Sequence, residues 1–297
     1  MASLGLPSRS RAAFAGLTSV LVTPFADDGS LDLDGLDRVV DFVLSAGARG
    51  VTALGIMGES AYLREEERRA VLTHVARRVG PEAGVTVGIG DDREDVLIER
   101  AGMVSAAGAR AMVAVPSSGN LTTQLAAIVA AQPDLELVVQ HYPLLPHPEL
   151  TPADLAAAVE SAPTVVGVKE ECPPTAERIR ELRELLPHAA LVGGLSALWV
   201  GDELAAGADG TMTGFAFPER LVRIVELAER GRWDDVRQAY DALLPAIVFE
   251  AQPGVEVVLR KAILFERGIL PSPKARAPGK LSESVWAQVR QLVQRFA

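Results

Sequence analysis

Thr164-Val165-Val166-Gly167-Val168-Lys169-Glu170-Glu171-Cys172-Pro173-Pro174 changes character in a single step. An uncharged, β-branched run of this length, stopped by charges and a double proline, reads as a strand buried on both faces that opens into a polar loop. A lysine that closes such a strand is poorly hydrated, and desolvation favours the neutral amine that attacks a carbonyl carbon. Many strand-ending lysines merely reach solvent, so the rest of the chain has to decide between the two readings.

Outward from this strand, short apolar runs alternate with longer stretches of helical period, the pattern of repeated βα units on a parallel sheet. The predicted strands are Leu17 to Thr23, Gly50 to Leu54, Val85 to Ile89, Ala111 to Val115, Leu135 to Gln140, Val165 to Lys169, Ala190 to Val192 and Gly210 to Thr213. Eight of them, with no Gly-x-Gly-x-x-Gly turn after the first, suit a closed (β/α)8 TIM barrel of the α/β class better than an open doubly wound sheet. The helices carry matching punctuation. Asp32 caps a stretch in which Leu33, Leu36, Val39, Val40, Val43 and Leu44 recur at helical spacing before Gly47. Thr151-Pro152-Ala153-Asp154 reads as an N-cap, a proline at the first helical position and an acid in the first turn. After Pro218 the alternation stops and helices follow one another, which predicts a barrel over residues 14–218 and a C-terminal α-helical extension over residues 219–297.

Composition narrows the function. A net charge of −10 argues against nucleic-acid and anionic-membrane surfaces, which need clustered Lys and Arg. One cysteine in 297 residues excludes a disulfide framework or paired-thiol redox chemistry and fits a cytoplasmic protein. No apolar stretch reaches the roughly 20 residues that span a bilayer, and Met1 to Arg11 read as a leader without a signal-peptide core.

In a parallel barrel the chemistry gathers where the strands end. The second strand ends in Gly55-Ile56-Met57-Gly58-Glu59-Ser60, a turn whose glycines let backbone N–H groups converge on a carboxylate. The fourth leads to Ser117, the fifth to Gln140-His141-Tyr142-Pro143, the sixth to Lys169 and Glu171, the seventh to Gly194, and the eighth to Thr213. The acids and the single histidine here lack metal-ligand spacing, so neither a metal nor a cofactor is expected.

Taken together, Leu21-x-Thr23-Pro24-Phe25, Gly55-x-x-Gly58-Glu59-Ser60, the proline after the fifth strand and Gly167-Val168-Lys169 resemble the dihydrodipicolinate synthase and N-acetylneuraminate lyase superfamily from about Gly16 onward. The resemblance implies a barrel with C-terminal helices, a homo-oligomer (tetramer or dimer), and a lysine that forms a Schiff base with pyruvate or another 2-oxo acid; Lys169 falls on that lysine. The departures are as informative. Ile56 and Met57 stand where the family turn carries two threonines, so only backbone N–H groups are left to hold the keto acid. Gln140 replaces the family's acid/base tyrosine, and glutamine does not titrate. Ser117 or Ser118 replaces the synthase's second relay tyrosine, and the arginine that grips its aldehyde falls near Leu145, which argues against the synthase reaction itself.

The expectation is therefore a Schiff-base-forming lyase or aldolase acting on a small 2-oxo acid, of pyruvate or deoxy sugar acid type. Lys169 is the nucleophile, and Glu171, Tyr142 and His141 are the candidates for proton transfer. Gly55, Ile56, Met57, Gly58, Glu59, Ser117, Gln140, Gly194 and Thr213 are the candidates for substrate binding. Two alternatives share the imine site: a dehydratase of 2-keto-3-deoxy sugar acids, and a keto-acid-binding barrel that has lost turnover.

Overall fold

The computed structural model describes residues 11–80, 83–143 and 147–297. The proposed leader up to Ser10 and the position near Leu145 therefore lie outside the described residues. Eight parallel strands close into one barrel in sequence order: β1 (Gly16–Val20), β2 (Gly50–Ala53), β3 (Gly84–Gly88), β4 (Arg110–Ala114), β5 (Leu137–His141), β6 (Val165–Glu170), β7 (Ala190–Gly193) and β8 (Gly210–Thr213). All lie close to their predicted limits except β1, which ends at Val20 where the sequence predicts Thr23. The described residues group into two compact units, one made of 11–16, 86–143, 147–194 and 199–212, the other of 17–80, 83–85, 195–198 and 213–297.

In the first unit, β3 to β8 pair in continuous parallel register, and α3 (Glu94–Ala106), α4 (Leu121–Ala131), α5 (Pro152–Glu160), α6 (Thr175–Leu185) and α7 (Val200–Ala205) occupy the crossovers. Leu137, Val138 and Val139 of β5 have no exposed surface, which is why that strand reads as an unbroken apolar run. The pairing of β5 with β6 sets Gln140 opposite Lys169 and His141 opposite Glu170. Thr151 caps α5 by accepting from the Asp154 N–H at 3.1 Å, as its sequence predicts.

In the second unit, β1 pairs with β2 and is followed by α1 (Leu33–Ser45), with α2 (Glu65–Val79) after β2. Asp32 caps α1 through the Gly35 N–H at 2.8 Å, and Leu36, Val39, Val40 and Val43 are buried along one face. Each such side chain contributes about 1.5–3 kcal/mol of burial. Beyond β8 come α8 (Pro218–Glu229), α9 (Trp233–Glu250), α10 (Glu256–Glu266) and α11 (Glu283–Phe296) with no strand among them. Among the described residues no helix is long and apolar enough to cross a membrane.

Candidate active site

Strand alternation sends neighbouring residues to opposite faces, and around Lys169 this separates two polar clusters. On one face, Lys169 Nζ lies 3.0 Å from Glu171 Oε2, and Gln140 Nε2 donates to the same oxygen at 2.6 Å. All three side chains are buried. The Glu171 N–H bonds the His141 carbonyl at 2.9 Å, so the β5–β6 ladder itself carries the carboxylate to its position. Gly194 closes this cluster: a Cβ there would overlap Glu171 Oε1 and come within 2.8 Å of Lys169 Cε. Lys169, Glu171, Gln140 and Gly194 are thus brought together as one group. The amine is the nucleophile candidate, and the carboxylate is the group within reach to take its proton.

On the other face of β6, Glu170 is fully buried and met by Arg178 of α6, whose Nε lies 3.3 Å from Glu170 Oε2. His141 is also fully buried. Its Nε2 accepts from the Leu150 N–H at 3.1 Å, which leaves Nδ1 as the protonated nitrogen, 2.9 Å from Glu170 Oε1. Both ring nitrogens are thereby engaged by the protein, and His141 braces the strand ends instead of facing the lysine. The Cys172 N–H donates to Glu170 Oε1 at 2.7 Å. Burial pushes the Cys172 thiol up to about 11. The donor atoms of His141, Glu170 and Cys172 lie within 4.8 Å of one another, a spacing a metal ion could use. Here the His141 Nδ1–H, the Cys172 N–H and the Arg178 guanidinium already satisfy the carboxylate, and the thiol keeps its proton, so the donor set does not suit a cation.

The remaining candidates have separate surroundings. Tyr142 follows β5 and is half-buried. Ser117 is exposed and bound twice by Asp92, through its N–H at 3.0 Å and its hydroxyl at 2.6 Å. These bonds lower the Asp92 carboxyl below its usual range. In the second unit, the turn after β2 is a short 3-10 helix over Ile56–Gly58. Its Gly58 and Glu59 N–H groups bond Gly55 and Ile56 carbonyls at 3.0 and 2.9 Å, and the Thr23 hydroxyl takes the Gly58 carbonyl at 2.6 Å. Ile56 and Met57 thus supply the N–H groups that have no acceptor within the turn. Glu59 is buried and bound to the Lys261 ammonium, with the Arg276 and Ala277 N–H groups each at 2.6 Å, so its carboxylate anchors the C-terminal segment. Burial lowers Lys261 to about 8, while Glu59 pulls it the other way. Thr213 ends β8 buried, its hydroxyl 3.4 Å from the Gly214 carbonyl.

The profile of the Dihydrodipicolinate synthetase family matches residues 13–295. The chain belongs to that family. It is 32% identical over 283 residues to an L-2-keto-3-deoxyarabonate dehydratase of Azospirillum brasilense, a match covering 89% of this chain and 88% of the relative. It is 25% identical over 303 residues to a 4-hydroxy-tetrahydrodipicolinate synthase of Porphyromonas gingivalis, covering 96% and 99% of the two. Among solved structures, the dihydrodipicolinate synthase of Rhodopseudomonas palustris superposes with a TM-score of 0.90 at 34% identity, covering 95% of this chain and 97% of that one. The family assignment makes the chain a lyase.

Sequence reasoning misses two residues of these clusters. Arg178 is one. The other is Glu203 on α7, buried against Gly193. Its signal is present in the chain, since Val200, Glu203 and Leu204 share one helical face and two of the three are apolar.

Proposed function

We propose that this lyase works through an imine at Lys169, formed with a small 2-oxo acid of the pyruvate or deoxy sugar acid type. The observation that carries this reading is the buried Lys169 amine at 3.0 Å from the Glu171 carboxylate, in a barrel of this family. In the resting protein the pair is ionic, so Lys169 must release a proton before it attacks, and Glu171 Oε2 is the acceptor in reach. The amine adds to C2 of the keto acid, and loss of water gives a protonated imine. That cation draws electrons from C3. Removal of a C3 proton then gives an enamine, whose electron pair expels a hydroxyl from C4 as water once an acid protonates it. Alternatively, a base removes the C4 hydroxyl proton, C4 leaves as an aldehyde as the C3–C4 bond breaks, and the bond's electrons stay on C3 as an enamine that is then protonated. Hydrolysis of the imine returns Lys169 in either case. Neither route needs a metal or an organic cofactor.

The relationship to the Azospirillum dehydratase favours the first route, water loss from a 2-keto-3-deoxy sugar acid. Glu171 and the half-buried Tyr142 are the proposed proton carriers, and Gln140 and Gly194 are the proposed binding residues beside Lys169. The family resemblance further supports a cytoplasmic homo-oligomer, and a division of labour in which residues 14–218 carry the chemistry. Borohydride reduction in the presence of candidate 2-oxo acids should add a stable mass to the peptide holding Lys169, and Lys169→Ala should abolish it. No adduct with any keto acid, or one on another lysine, would refute the imine. Product analysis then separates water loss from pyruvate release.

A further inference from the structure

Gly193 and Gly194 form a wall one main chain thick. On one side, a Cβ on Gly194 would strike Glu171 and Lys169; on the other, a Cβ on Gly193 would overlap Glu203 Oε2 and sit 2.8 Å from Oε1. The Glu203 carboxyl therefore lies directly against the backbone whose opposite face receives the lysine. Beyond the wall the chain enters three consecutive non-glycine residues at positive φ, Leu195 (41°), Ser196 (54°) and Ala197 (64°), a run that L-residues rarely adopt. Such a segment keeps its course only when its neighbours hold it.

Glu203 itself is 1% exposed, and neither of its oxygens has a hydrogen-bond partner in good geometry among the described residues. The polar group facing it is the Thr175 hydroxyl of α6, and the charged groups that bear on it are Glu170 and Lys169 of β6 and Glu171 beyond it. A charge is not needed there for packing, since a leucine would fill similar space.

We propose that Glu203 is a positioning residue for the Lys169 site, an uncharged carboxylic acid that buttresses the Gly193–Gly194 wall and couples to the lysine across it. Burial pushes Glu203 up to about 8, Glu171 and Glu170 add to the rise, and Lys169 and the Thr175 hydroxyl oppose it. At neutral pH the acid is protonated and leaves the balance between Lys169 and Glu171 undisturbed. Above that range its negative charge stabilises the ammonium form of Lys169 and withholds the nucleophile. A purely structural glutamate would have no such consequence.

The inference rests on the imine reading for its meaning in catalysis, but a measurement without substrate tests it separately. Lys169 is labelled with a trace of an acylating reagent from pH 6.5 to 9.5, and the rate is read by peptide mass spectrometry in the wild type, Glu203→Gln and Glu203→Leu. Above pH 8 both variants should label Lys169 at least about threefold faster than the wild type, the equivalent of half a pKa unit. Superimposable curves would overturn the coupling. In turnover, Glu203→Ala should lower kcat about tenfold with KM little changed, and Glu203→Gln should restore it near pH 7. The ratio of Gln variant to wild type in kcat/KM should then rise about tenfold from pH 7 to 9. An alanine variant as active as the wild type would overturn the buttress; should it fail to fold, Glu203→Ser, which also empties the space against Gly193, carries the same comparison. Absence of any borohydride adduct in the wild type would defeat the imine while leaving the labelling result to decide on Glu203.

Discussion

On one face of β6, Lys169 and Glu171 meet at 3.0 Å with Gln140 beside them; on the other, Glu170 is held by Arg178, His141 and the Cys172 N–H. The residue types are nearly the same, a carboxylate with a cation and a neutral hydrogen-bonding partner. Their surroundings differ. Glu170 is enclosed by groups whose own second contacts are protein, including Arg178 to the Leu150 carbonyl at 2.6 Å and His141 to the Leu150 N–H at 3.1 Å. The Lys169 amine instead lies against a stretch of main chain kept bare by Gly194. A closed network fixes the strand ends, whereas the lysine pair packs against main chain with no side chain of its own.

The contrast breaks most decisively at the lysine. Lys169→Ala should reduce turnover of the folded protein by about 10⁴-fold or more, and because it leaves the buried Glu171 without its cation the thermal transition should fall as well. Circular dichroism alongside a turnover assay reads both, and retained activity would sink the nucleophile assignment. Glu171→Gln keeps the shape and removes the proton acceptor. A fall in kcat of about 10²–10⁴-fold is expected, with borohydride trapping slowed and not abolished; kcat within twofold of the wild type would move the proton carrier elsewhere, with Tyr142 next in line.

The opposite face should respond in stability and not in chemistry. Arg178→Met leaves Glu170 buried without its cation, and breaking one side of such a pair costs about 3–5 kcal/mol. Urea unfolding should show a midpoint lowered accordingly, with the residual folded protein still trapping a keto acid on Lys169. A variant as stable as the wild type, or one that folds normally but no longer forms the adduct, would dissolve the distinction between the two faces.

Much of this arrangement is legible in the chain. The eight strands follow from apolar runs and the caps at Asp32 and Thr151 from their chemistry, since both signals are local. Lys169, Glu171, Gln140 and Gly194 are legible as residues at strand ends. Sequence alone groups His141 with them when strand ends are read as points, although the alternation that separates Glu170 from Lys169 equally separates His141 from Gln140. Glu59 reads as a ligand of the substrate turn. Its partners, Lys261, Arg276 and Ala277, lie some two hundred residues away in sequence, a distance at which no local pattern speaks. Ser117 is engaged by Asp92 across a crossover and escapes local reading for the same reason.

Glu203 sharpens the comparison in the last and smallest way, because it lies on the structural side of the wall yet answers to charges on both. A free glutamate ionises near 4.5, whereas folded Glu203 keeps its proton to about 8. Between those values the native state binds more protons than the unfolded chain, so its contribution to stability is complete below about 4.5 and is lost as pH rises through about 8. The slope is at most about 1.4 kcal/mol per pH unit. Glu203→Gln cannot ionise and should lose less stability than the wild type between pH 5 and pH 8, measured as the change in urea midpoint at fixed ionic strength. Parallel losses in the two proteins would mean that Glu203 is already charged in the native state, and the buried acid behind Gly193 would then belong with Glu170 as a charged member of the closed network.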